Sequence, residues 1–131
     1  MKMWGLVSLA GLSLIVSSCT KPDRVRTIKS PDPSIFLTVE TQNGTGAISS
    51  DFTNAYVHFT RDGKTTKQVL INGEYLEDAD FAWQKPNVIA ICLHGGYTDE
   101  FHNEITLEIG SAFKNFHAFL KESCSLAAMR Q

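Results

Sequence analysis

The chain has 131 residues, 43% of them hydrophobic and 20% charged, with 12 Lys and Arg against 14 Asp and Glu. That length accommodates one small globular domain and excludes a second of ordinary size. A net charge of −2 and a sequence pI near 6.0 supply no cationic surplus for neutralising phosphates, which argues against nucleic acid as a partner.

Met1 to Gly5 carries one positive charge at Lys2, and Leu6 to Val16 is an apolar run of 11 residues interrupted only by two serines and a glycine. This has the length of a signal peptide and is too short to span a bilayer, which takes about 20 apolar residues. The run ends in Val16-Ser17-Ser18-Cys19, which resembles the lipobox of bacterial lipoproteins. The resemblance implies a signal peptide over residues 1–18, a diacylglyceryl group on the Cys19 thiol and acylation of the new amino terminus, palmitate-type chains being the anchor. Several acyl chains, at about 0.8 kcal/mol per buried methylene, hold a soluble domain on a membrane where a single chain does not. Thr20, where an Asp would retain the protein at the inner membrane, implies an outer-membrane protein facing the periplasm. The competing reading is a plain secretory peptide with Cys19 an ordinary thiol.

With residues 1–18 removed, the chain carries 11 basic against 14 acidic side chains. Residues 19–33 read as a lipidated tether, because three of the four prolines fall there among few apolar residues. A single domain is expected over residues 34–131. Ile35, Leu37 and Val39 alternate with Phe36, Thr38 and Glu40 in the period of a strand, and Ala55, Val57 and Phe59 repeat it after a polar loop. Asp62-Gly63 has the composition of a type I′ hairpin turn into a returning strand over residues 65–72, and Asn72-Gly73 reads as a second turn.

Phe81 to Trp83 begins another apolar piece, and Val88 to Leu93 is continuously apolar, which predicts a central strand covered on both faces. Gly95-Gly96 ends it, and Glu104 to Ile109 alternates again. Beyond Gly110, the spacing of Phe113, Phe116, Phe119, Leu120 and Cys124 predicts a helix with one apolar stripe. The expected fold is mainly β (α+β): an antiparallel sheet or small sandwich of about five or six strands with one C-terminal helix.

Cys92 and Cys124 remain besides Cys19, and in an exported protein two such thiols pair readily. Their disulfide would stabilise the domain by about 3 to 4 kcal/mol through chain entropy. The alternative is two buried thiols acting as small hydrophobes.

His94, Asp99, Glu100, His102 and Glu104 form the densest group of potential metal ligands. A zinc site needs three or four converging ligands, so this group qualifies only if the Gly95-Gly96 loop folds back; a solvated acidic loop is the simpler reading, and no metal or other cofactor is expected. His94-Gly95-Gly96 resembles the oxyanion segment of esterases, but the mature chain has no Gly-x-Ser-x-Gly nucleophile turn to accompany it. Gly44-Thr45-Gly46 leads into a strand and not a helix, and so is no dinucleotide loop. Cys92 lies in an apolar strand that disfavours a thiolate, which argues against a Cys/His catalytic pair.

The run Gly46 to Phe59, with Ser30-Pro31-Asp32 before it and Trp83-Gln84-Lys85-Pro86-Asn87-Val88 after it, is similar to the signature of a family of small uncharacterised bacterial exported proteins. The resemblance covers about residues 30–93 and implies an all-β core without an assigned activity. Ile48-Ser49 stands where that family tends to have Thr-Thr.

The functional expectation is a membrane-anchored, non-catalytic binding module of the envelope, with an immunity or inhibitor lipoprotein facing an envelope protein or toxin as its most concrete form. Gly44 to Phe52, with Gly46, Ser49 and Asp51, and His94 to Asn103, with Asp99 and His102, are the expected recognition loops. The alternatives are a small periplasmic hydrolase or metal-dependent enzyme using His94, Asp99 and His102, and a structural envelope lipoprotein.

Overall fold

The computed structural model describes residues 21–44, 51–121 and 124, and within them it holds nine strands and no helix. Cys19 and the signal segment lie outside the described residues. In chain order the strands are β1 (Arg24–Lys29), β2 (Ile35–Gln42), β3 (Phe52–Arg61), β4 (Lys64–Glu74), β5 (Asp80–Lys85), β6 (Val88–Cys92), β7 (Tyr97–Phe101), β8 (Glu104–Ile109) and β9 (Ala112–Lys121). One sheet runs β1-β2-β3-β4-β7 and is antiparallel throughout. The other runs β5-β6-β9-β8, with β6 and β9 parallel.

The predicted alternation places the core. Ile35, Leu37 and Val39 of β2 and Ala55, Val57 and Phe59 of β3 point inward with Leu70, Ile71 and Leu76. Facing them from the second sheet are Ile89, Ile91, Ile105, Leu107, Phe116 and Ala118. Full burial of each Leu, Ile or Phe contributes about 1.5 to 3 kcal/mol, so this single layer dominates the stability. The expected double coverage of residues 88–92 is also present: Ile89 and Ile91 enter the main layer, whereas Ala90 and Cys92 are buried on the opposite face with Ala82, Phe119 and Cys124. Asp62 and Gly63 both adopt left-handed backbone (φ 52° and 79°), as a type I′ turn requires.

Five expectations are corrected. Among the described residues the strands number nine in two sheets where five or six antiparallel ones were expected, and β6 pairs with β9 in parallel. The C-terminal helix is absent from the described residues, because residues 112–121 form β9. Gly110, at φ 61°, opens a two-residue turn that sets Ala112 opposite Ile109, and the chain returns as a hairpin. The three-residue spacing of the phenylalanines mixes the two faces of this strand: Phe116 is core, while Phe113 is 59% exposed. The proline-containing segment is not all tether, because β1 occupies residues 24–29 and pairs with β2. Asn72-Gly73 lies within β4 at a register shift against β7, where a Cβ on Gly73 would collide with the Tyr97 carbonyl oxygen. Gly73 is therefore the residue that admits β7, and Tyr97 to Phe101, expected as loop, is that strand.

Cys92 and Cys124 are at disulfide distance, with Cα atoms 6.1 Å apart. Cys92 closes the β6 side of the parallel pair, opposite Lys121, and Cys124 follows three residues later. Replacing both cysteines by alanine is expected to lower unfolding stability in non-reducing buffer by about 3 to 4 kcal/mol, read from urea denaturation midpoints. An unchanged midpoint would show that the pair is not bonded.

Candidate functional site

The residues expected to line recognition loops are mostly engaged in holding the loops themselves. Asp51 accepts a hydrogen bond from the Gly44 N–H at 2.9 Å, its carbonyl accepts from the Tyr75 N–H at 2.9 Å, and its carboxylate stands 4.0 Å from the Arg24 guanidinium. It thereby joins the two ends of the loop to β1 and to the end of β4. Gly46 and Ser49 lie outside the described residues. His94 Nε2 is 2.7 Å from the Asp80 carboxylate, which ties the exit of β6 to the start of β5. His102 Nε2 is 2.6 Å from Glu100, whose other oxygen accepts a bond from Asn72 at 3.3 Å. Asp99 is exposed on β7.

His94, Asp99 and His102 are not brought together as a ligand set. His94 follows a strand of the four-stranded sheet, whereas Asp99 sits on β7 of the other sheet and the His102 N–H donates to the Leu70 carbonyl at 2.9 Å. Among the described residues no three His, Cys, Asp or Glu side chains converge on a common point.

The residues that carry the family resemblance have structural work. Ser30 Oγ accepts the Asp32 N–H at 3.0 Å and donates to the Pro86 carbonyl at 3.3 Å, joining the β1–β2 turn to the β5–β6 turn. Asp32 caps Ser34 through its N–H at 2.9 Å and its hydroxyl at 2.7 Å, and reaches Lys114 of the second sheet at 3.2 Å. The two Ser34 bonds, backbone first, with Lys114 behind them, hold the Asp32 carboxyl below its ordinary value. Trp83 packs edge-on against Phe116, with ring centroids 6.3 Å apart.

The most developed side-chain constellation lies on the outer face of the five-stranded sheet. Phe36 and His58 are directly opposed across β2 and β3, and their rings stack 4.4 Å apart at an interplanar angle of 8°. The Thr38 hydroxyl is 2.8 Å from His58 Nε2 and fixes the imidazole from the side. Tyr56 meets the same imidazole edge-on at 6.4 Å, and the Lys67 ammonium lies 4.3 Å over the Tyr56 ring. Cross-strand aromatic contacts contribute about 0.2 to 1 kcal/mol each, and an exposed cation over a ring contributes about 0.5 to 1 kcal/mol. The patch is therefore held by contacts among its own side chains.

Its electrostatics follow from the same neighbours. Burial, then the charge of Lys67, pushes His58 below its ordinary value, so the ring is neutral at neutral pH. Burial, then Glu40, pushes the Tyr56 hydroxyl up, so it too stays neutral and able to donate. The result is a neutral, half-buried aromatic strip flanked by one cation and one carboxylate. Such a surface makes apolar contact at its centre and directional contacts at its rim.

Sequence reasoning assigned the outward positions correctly but passed over what fills them. The signal was present in Phe36, Tyr56 and His58, three ring side chains at positions where a merely solvated sheet face takes small polar residues. Compared with protein-family models, curated proteins and solved structures, the chain has no match.

A pH dependence follows. The unfolded chain protonates His58 near its ordinary pKa of 6.5, while the folded chain resists. The stability due to the neutral ring is complete above about 6.5 and is lost as pH falls through the lower folded value. The urea midpoint is expected to fall between about pH 7.5 and about pH 5, and His58→Phe is expected to reduce that fall. Equal slopes for the two proteins would remove His58 from the account.

Proposed function

We propose that the protein is a lipid-anchored bacterial envelope protein whose sandwich is a non-catalytic binding module, with the Phe36–His58 face as its contact surface for a protein partner. An immunity or inhibitor role against a toxin or lytic enzyme is the most concrete form. The observation that carries this reading is the ordered stack of Phe36 on His58, extended by Tyr56 and Lys67 on a solvent-facing sheet. Aromatic residues concentrate in the contacts that supply most interface energy, and a rigid platform loses little entropy on binding.

Two further features support the setting. The lipobox-like Val16-Ser17-Ser18-Cys19 supplies an anchor facing the periplasm from the outer membrane, and the Cys92–Cys124 pair suits an oxidising compartment.

Intact-mass measurement of the protein from the envelope is expected to give a chain beginning at Cys19 with acyl chains attached. An unlipidated mature chain would refute the anchor. In crosslinking and pull-down from envelope extracts, Phe36→Ala combined with Tyr56→Ala is expected to lose the partner by at least about tenfold, since a pair of interface anchors costs upwards of about 1.4 kcal/mol. Retained capture with a folded double variant would move the contact surface elsewhere.

A further inference from the structure

The aromatic strip continues past Phe36 towards the β1 edge. There a cleft of about 430 Å³ is bordered by Thr27 and Lys29 of β1, by Pro31 and Pro33 of the β1–β2 turn, and by Phe36, within the range of small-ligand sites. Phe36 has two cross-strand neighbours on this face, His58 on β3 and Lys29 on β1. The imidazole covers the β3 side of the ring, and the cleft adjoins its β1 side.

The wall formed by the turn is fixed. The Ser30 N–H donates to the Ile35 carbonyl at 3.3 Å, the Ile35 N–H donates to the Asp32 carbonyl at 3.0 Å, and the Ser30 hydroxyl donates to the Pro86 carbonyl of the β5–β6 turn at 3.3 Å. Between these bonds Pro31 and Pro33 are exposed, each with φ set by its own ring. A wall so held loses little entropy when it is covered.

Charge is unevenly placed around the cleft. Lys29 is the one charged side chain that borders it; the lysine is exposed and forms no ion pair among the described residues. Asp32, the carboxylate of the same turn, is turned to Ser34 and to Lys114 of the second sheet. The Lys67 ammonium flanks the strip from β4. Glu40 stands four residues along β2 from Phe36, about 13 Å away. On a chain of net charge −2, this end of the face is apolar with a positive rim.

We propose that the cleft seats an apolar side chain of the protein partner with a carboxylate beside it, the apolar group against Phe36 and the prolines and the carboxylate on the Lys29 ammonium. The inference rests on the reading of this face as the contact surface and deepens it: the partner is acidic where it meets the cleft. The apolar group supplies the anchor. Opposite charge at the rim supplies orientation and selects against cationic competitors.

The test uses the exported protein labelled with nitrogen-15, with the amides of Thr27, Lys29 and Phe36 followed. The probes are 3-phenylpropionate, its neutral analogue 3-phenylpropan-1-ol, its cationic analogue 3-phenylpropylamine, and propionate, which lacks the ring. Saturable shifts are expected with phenylpropionate, with the alcohol about threefold weaker, as an exposed ion pair implies, and the amine and propionate weaker still. Lys29→Gln is expected to bring the acid down to the affinity of the alcohol and to leave the alcohol unchanged. Thr27→Trp places a strand-favouring ring in the cleft from an exposed position and is expected to abolish the shifts while the core amides keep their dispersion. Equal binding of acid and amine, undiminished discrimination in Lys29→Gln, or no saturable shift with any probe would overturn the proposal. Pull-down from envelope extracts separates it from the reading on which it rests. If Phe36→Ala with Tyr56→Ala loses the partner while Lys29→Gln and Thr27→Trp both retain it, the face is the contact surface and the cleft proposal is wrong. If phenylpropionate binds as expected while that double variant retains the partner, the contact surface is wrong, and with it the partner as the source, while the ligand chemistry of the cleft stands.

Discussion

The parallel pairing of β6 with β9 is the contact on which the rest of the fold depends. These strands meet across Val88 to Cys92 and His117 to Lys121, and theirs is the one parallel pairing among the described strands. Without it, β5 and β6 would be an isolated hairpin and β8 with β9 another, each too small to persist in water. With it, the two hairpins become one sheet, and that sheet delivers Ile89, Ile91, Ile105, Leu107, Phe116 and Ala118 to the faces of β2, β3 and β4. A non-local parallel pairing is entropically expensive to form. The Cys92–Cys124 pair sits at its end, where a covalent link holds the register most directly.

A rigid two-layer core then determines what the two outer regions can do. On the five-stranded sheet, inward and outward residues alternate without exception along β3 from Thr53 to Thr60, so Tyr56 and His58 are outward because Val57 and Phe59 are inward. At the β1 edge, Arg24 and Arg26 share the face of Thr41 and Val39 while remaining exposed. Inward charge at a sheet edge also discourages another strand from adding there.

Much of the first sheet was legible in the sequence because its signals are local. Strict alternation marks β2 and β3, and Asp62-Gly63 marks their continuation into β4. What could not be read depends on tertiary contacts. The phenylalanines at 113, 116 and 119 satisfy a helical spacing and a strand equally, and only the Gly110-Ser111 hairpin and the place beside β6 decide between them. Asn72-Gly73 has turn composition, yet its glycine serves the close approach of Tyr97. β1 is masked by the prolines around it and is nearly all exposed. The site followed the same division: the outward positions were evident from alternation, but the stacking of Phe36 on His58 emerges only once register is known.

The most direct test of the account is a nuclear Overhauser map of residues 88–92 against 117–121. Parallel pairing predicts interstrand amide and α-proton contacts that put Ala90 beside Phe119 and Ile91 beside Leu120. Sequential contacts three residues apart across 112–121, with no contact to 88–92, would restore the helix and contradict the sandwich.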